Sequence, residues 1–169
     1  MHLLSTVVHS PPWLSISDSF MDESLRRNEF LPFRHIQWEK YDYLEDHLHF
    51  TPSSESSFLD DLKKGVEGLQ FPLLVMSDST FSHNGSDSSR RFESMFPEGD
   101  VTVDAVSGSG FITLGRKGQN FRSRLRNHSL GKFNTLLLIG GWNDYGHTAQ
   151  RFDSAVKGFV HACKGRTRT

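Results

Sequence analysis

The run Phe71-Pro72-Leu73-Leu74-Val75-Met76-Ser77-Asp78-Ser79-Thr80 decides the fold. Its apolar residues occupy consecutive positions, the pattern of a strand covered on both faces, and it breaks off abruptly into small polar residues. Two later stretches repeat the arrangement. Val101–Val106 leads into Ser107-Gly108-Ser109-Gly110, and Thr135–Ile139 leads into Gly140-Gly141-Trp142-Asn143-Asp144. Leu3–Val8 and His35–Trp38 read as two further strands. Helical spacing fills the intervals: Phe152, Ala155, Val156, Phe159, Val160 and Cys163 form one stripe over 148–163. A second helix is expected over 54–64, with Phe58, Leu59 and Leu62 inward, Ser53 as N-cap and Gly65 as stop. A third runs through Met21 and Leu25 behind a cap at Asp18 or Ser19, and Phe121 with Leu125 marks a fourth. Strands alternating with helices predict an α/β fold, a three-layer α/β/α sandwich around a mainly parallel five-stranded sheet. Functional groups then gather at the carboxyl ends of the strands.

The chain has 169 residues, enough for one domain spanning 1–169. Its 19 Lys+Arg balance 20 Asp+Glu, and 36% of it is hydrophobic, which excludes wholesale disorder, collagen-like repeats and a coiled coil. No apolar run approaches the roughly 20 residues of a membrane span, so a soluble protein is expected. The opening MHLLSTVVHSPPW has too short an apolar stretch and no basic leader, so it reads as strand and loop and not as a signal peptide; the default compartment is cytoplasmic. Cys163 is alone and supplies neither an internal disulfide nor a thiolate zinc cluster. His9, His83 and His128 lack ligand spacing, and neither a P-loop nor G-x-G-x-x-G occurs, so no metal or cofactor is expected. Residues 1–68 carry 6 basic and 12 acidic side chains, and residues 69–169 carry 13 and 8. Arg116, Lys117, Arg122, Arg124, Arg126 and Lys132 cluster in the second part. Without interleaved aromatic residues they read as a solvated face in preference to a nucleic-acid surface.

The three strand-end loops resemble the motif blocks of the SGNH (GDSL-type) hydrolase family. LLVMSDST is similar to the first block, in which a strand enters Gly-Asp-Ser; here Ser77 stands in the glycine's place. VTVDAVSGSG is similar to the second block and LLLIGGWND to the third, Gly-x-Asn-Asp. By position Ser79 matches the nucleophile, Gly108 a backbone oxyanion donor and Asn143 a side-chain oxyanion donor. The family's closing block, Asp-x-x-His, is matched upstream by Asp46-His47-Leu48-His49, directly before the helix at 54–64. HLLSTVVHSPPW is similar to the family's fourth strand and its Pro-bearing loop. The blocks stand in rotated order, as after a circular permutation: residues 69–169 correspond to the family's N-terminal part and residues 1–68 to its C-terminal part. The resemblance implies a flavodoxin-like sheet. The permutation implies that Met1 and Thr169 lie near each other, away from the catalytic mouth.

Ester hydrolysis fits these residue types. A serine hydroxyl needs a base, which His49 would supply, with His47 as its rival; Asp46 would orient the ring. The N–H groups of Ser79 and Gly108 and the amide of Asn143 would hold the oxyanion. Asp78 is read as organising the nucleophile loop, Asp144 as making turn hydrogen bonds and Gly110 as a flexible turn residue. The resemblance thus implies a cofactor-independent serine esterase acting through an acyl-enzyme. Acetylated sugars, short lipid esters and thioesters are its candidate substrates. The alternative is an SGNH-fold domain without catalysis that contacts RNA through the Arg116–Lys132 surface.

Overall fold

The computed structural model describes residues 1–7, 18–34, 36, 38–44, 49–81 and 87–166. Its strands are β1 (His2–Val7), β2 (Leu31–Pro32), β3 (Leu73–Ser77), β4 (Val101–Ala105) and β5 (Thr135–Gly140). All pair in parallel, in the order β2-β1-β5-β3-β4. At the centre Leu136 stands level with Leu3 on one side and Leu74 on the other. The helices are α1 (Asp18–Arg27), α2 (Pro52–Val66), α3 (Ser88–Glu93), α4 (Phe121–Arg124) and α5 (Ala149–Arg166).

The consecutive apolar residues of β3 and β5 follow from helices on both faces. Leu74, Met76, Leu136 and Leu138 point to one side, where α1, α4 and α5 bury Met21, Leu25, Phe121, Phe152 and Phe159. Leu73, Val75, Leu137 and Ile139 point to the other, against Phe58, Leu59 and Leu62 of α2 and Phe92 of α3. Each such side chain, fully buried, contributes about 1.5–3 kcal/mol. The result is a sheet between two helical layers.

Counting strands from β3 through β4, β5 and β1 to β2, the spatial order reads 2-1-3-4-5, a doubly wound arrangement. Its direction of winding reverses between β3 and β5, and the crevice outside their carboxyl ends is the topological switch point. At the opposite end of the sheet, Met1, His2 and Leu3 line a cavity of about 280 Å³ with Cys163 and Lys164 of α5. Lys164 is tied there to Glu29 at 2.6 Å. Thr169 itself lies outside the described residues.

Several local expectations need correction. In the expected strand His35–Trp38, Ile36 belongs to no strand and Trp38 opens a 3-10 turn over Trp38–Lys40, while His35 and Gln37 lie outside the described residues; the fifth strand is Leu31–Pro32. Pro32 has no N–H to extend the ladder, and Ile36 and Trp38 are instead buried against the α2 face. The N-cap of α2 is Thr51, not Ser53, because Pro52 is suited to the first helical position and Thr51 Oγ1 accepts from Ser54 N at 3.4 Å. Gly65 does not stop the helix. It is buried on the packed face, and α2 continues to Val66. Side chains of the proposed caps Asp18 and Ser19 lie outside what is described. The short helix Ser88–Glu93, which buries Ser88 and Phe92, is not among the expected helices.

Candidate active site

The loops leaving β3, β4 and β5 meet at the switch point, and the side chain of Asn143 joins them. Its Nδ2 donates to Asp78 Oδ2 at 3.1 Å and to the Ser109 carbonyl at 3.0 Å. A carbonyl cannot donate, so the Ser109 contact fixes which end of the amide is nitrogen. One residue therefore ties the turn after β3 to the turn after β4.

Asp78 is buried at 2% exposure. Its Oδ1 accepts from Thr80 N at 3.0 Å and Thr80 Oγ1 at 2.9 Å, closing a tight turn over Ser79. Burial pushes the Asp78 carboxyl above the ordinary Asp range. The Thr80 hydrogen bonds and the charges of Arg124 and His49 offset only part of that cost. Ser79 is half-buried at the centre of the turn. Among the described residues, no hydrogen bond engages its N–H or that of Gly108. Gly108 has φ 76°, a left-handed conformation that a side chain disfavours.

Asp144 is fully buried, and it bonds beyond its own turn. Its carboxylate accepts from the backbone N–H groups of Phe111 at 2.6 Å, Ile112 at 3.0 Å and Thr113 at 3.0 Å. Gly110 accordingly serves close approach, not turn flexibility: a Cβ there would fall 2.6 Å from Asp144 Cγ. Thr113 adds a second tie, its Oγ1 donating to the Asn143 carbonyl at 2.6 Å. That hydroxyl proton being used, His147 Nε2, 3.3 Å away, is the donor of their shared bond.

His49 closes a loop in front of α2. Leu44 N donates to the His49 carbonyl at 2.7 Å, and Thr51 N to the Asp42 carbonyl at 3.0 Å. Its neighbour Phe50 packs against Trp38, Tyr41, Tyr43 and Phe58. Phe58 in turn meets Phe81, two residues beyond Ser79, with centroids 5.6 Å apart. Phe50, next to His49, and Phe81, two residues beyond Ser79, thus pack on the same ring, Phe58. His49 Nε2 is buried. Asp46 and His47 lie outside the described residues.

Arg124 departs from the expected basic surface. Its side chain is 0% exposed and bonded to Asp104, Ser77 and Ser109. Arg116, Lys117, Arg122, Arg126 and Lys132 are exposed. Burial pushes the Asp104 carboxyl up, but the His128 hydrogen bond and the Arg124 charge outweigh it and hold the group below the ordinary Asp range. Sequence reasoning missed Arg124, Asp104 and Thr113. For Arg124 the available signal was its position: it follows Phe121 by three residues and so shares the inward face of α4.

Compared with protein-family models, curated proteins and solved structures, the chain matches none. Among the described residues no helix is long and apolar enough to cross a membrane.

Proposed function

We propose that this chain is a serine esterase of the SGNH hydrolase type with its motif blocks in circularly permuted order. The observation that carries the reading is the convergence of the Ser79, Gly108 and Asn143 loops at one switch point, where Asn143 ties Asp78, directly before the serine, to Ser109. The permutation is supported by the 2-1-3-4-5 order counted from β3. The packing of Met1 near Lys164 at the opposite end of the sheet supports it too.

In this mechanism Ser79 Oγ adds to the ester carbonyl carbon while its proton passes to His49. Asp46, three residues before His49, orients the ring and stabilises its cationic form. Collapse of the tetrahedral intermediate breaks the ester C–O bond, and the departing alcohol takes the proton from His49. Water, activated by the same histidine, then releases the carboxylic acid and regenerates Ser79. The N–H groups of Ser79 and Gly108 hold the oxyanion. Asn143 adds a third donor when its bond to Asp78 opens. Loss of one such donor costs about 3–4 kcal/mol of transition-state stabilisation.

The test is labelling with a fluorophosphonate, with the adduct located by peptide mass spectrometry. Labelling at Ser79 that disappears in His49→Ala supports the reading. An unlabelled Ser79 in protein with a cooperative thermal transition overturns it.

A further inference from the structure

Arg124 sits beneath the site without reaching its surface. From the end of α4 its guanidinium donates through Nη1 to the Ser77 carbonyl at 3.0 Å and to Ser109 Oγ at 2.6 Å. Nη2 donates to the Asp104 carbonyl and, at 2.9 Å, to Asp104 Oδ1; Nε reaches the same oxygen at 3.1 Å. Asp104 Oδ2 is held in turn by His128 Nε2 at 2.8 Å. Ser77 lies two residues before Ser79, and Ser109 directly follows Gly108. One rigid, planar group therefore spans the ends of β3 and β4 at the two points from which the proposed oxyanion donors hang. Helix α4 is itself anchored, since Phe121 N donates to the Gly110 carbonyl at 2.8 Å and Asn120 and Ser123 form a reciprocal cap.

We propose that Arg124 is a positioning residue of the esterase site, setting the separation of the Ser79 and Gly108 N–H groups through Ser77 and Ser109. The inference rests on the esterase reading. Its chemistry requires arginine: a lysine ammonium has no planar fork and cannot bond Ser77, Ser109 and Asp104 in this fixed geometry. The donors of a transition-state charge act only when held at one spacing, so a loosened fork lowers turnover without weakening ground-state binding.

The experiment measures hydrolysis of p-nitrophenyl acetate and the fluorophosphonate labelling rate for the whole chain and three variants, each checked for a cooperative melt. Ser109→Ala removes one Arg124 bond, together with the local bond from Ser109 Oγ to the Val106 carbonyl at 2.8 Å, while leaving the guanidinium paired with Asp104, so it keeps the test alive where Arg124→Lys fails to fold. Arg126→Lys, at an exposed position, serves as the control. Expected are a kcat lowered about tenfold by Ser109→Ala and a hundredfold or more by Arg124→Lys, with KM within about twofold and labelling slowed in parallel. Arg126→Lys should behave as the unaltered chain. Folded Ser109→Ala with unchanged kcat overturns the positioning role, as does a rise in KM at constant kcat. If the unaltered chain neither hydrolyses nor labels, the esterase reading itself has failed, which the variants' behaviour cannot mimic.

Discussion

The amide of Asn143 donates to the Asp78 carboxylate across 3.1 Å, and its other hydrogen is held by the Ser109 carbonyl. The residue in the position of an oxyanion donor is thus also the strut between two loops. Both roles are lost in Asn143→Ala, and they separate by measurement. Leaving the buried Asp78 and the Ser109 carbonyl without this partner should cost about 1–3 kcal/mol of stability, seen as a lowered denaturation midpoint. The esterase role adds a fall of about 10²–10³ in kcat for variant that remains folded. Loss of stability with full turnover would leave Asn143 as a strut alone.

Gly110 and Gly108 lie two residues apart and should fail for different reasons. A methyl at Gly110 would occupy the place of the Asp144 carboxylate, so Gly110→Ala must break the three backbone bonds that hold it. A cost of about 3 kcal/mol or more is expected. Gly108→Ala meets nothing nearer than Gly115 Cα at 3.7 Å, so its cost is conformational, about 1–2 kcal/mol for φ 76°. Gly131→Ala, with open space around it, should stay within about 0.5 kcal/mol. Chemical denaturation of the three variants checks the ranking, and equal losses at 108 and 110 would refute it.

What could be read in the chain was periodicity; what could not was contact. The runs Leu73–Met76 and Leu136–Ile139 are apolar at every position because helices cover both faces, and that signal placed the central strands and the loops behind them. The edge strand was lost because Leu31–Pro32 pairs over only two residues, too few for any pattern. Ile36 and Trp38 are apolar for packing under α2, which imitates a strand in sequence. Gly65 misled because burial within α2 outweighed its low helix propensity. Composition groups Arg124 with the basic surface, whereas its charge is balanced by Asp104, twenty residues away in sequence, a pairing no local pattern reveals.

The raised pKa of Asp78 fixes the sign of a pH dependence. Its contribution to stability is fully present below the ordinary Asp value of about 3.9 and is lost as pH rises through the higher value it has in the fold. Asp78→Asn should remove that loss, flattening a slope of at most about 1.4 kcal/mol per pH unit above the ordinary Asp value. Asp104, held below the ordinary range, acts in the opposite sense: its contribution is present above about pH 3.9 and lost as pH falls through its lowered value. Asp104→Asn should therefore flatten the acid limb. Urea titrations at pH intervals read both, and a Asp78→Asn profile parallel to that of the unaltered chain would contradict the assignment.

The Phe50–Phe58–Phe81 chain makes a last separation between folding and chemistry. Phe50 is half-buried and packs on Phe58 at 4.9 Å, directly beside His49 in sequence. Phe50→Ala should cost about 2–3 kcal/mol, less than a fully buried phenylalanine, because part of the ring is already solvated. Its effect on chemistry should be larger, since a displacement of about 1 Å in a catalytic group can reduce rate a hundredfold. Phe159, fully buried on the opposite face of the sheet against Phe30 and Phe111, supplies the contrast. Phe159→Ala should cost about 3–5 kcal/mol yet leave the fluorophosphonate labelling rate of the folded fraction within about twofold. Labelling rates normalised to folded protein decide the matter. If the two variants slow labelling equally, the aromatic chain does not position His49.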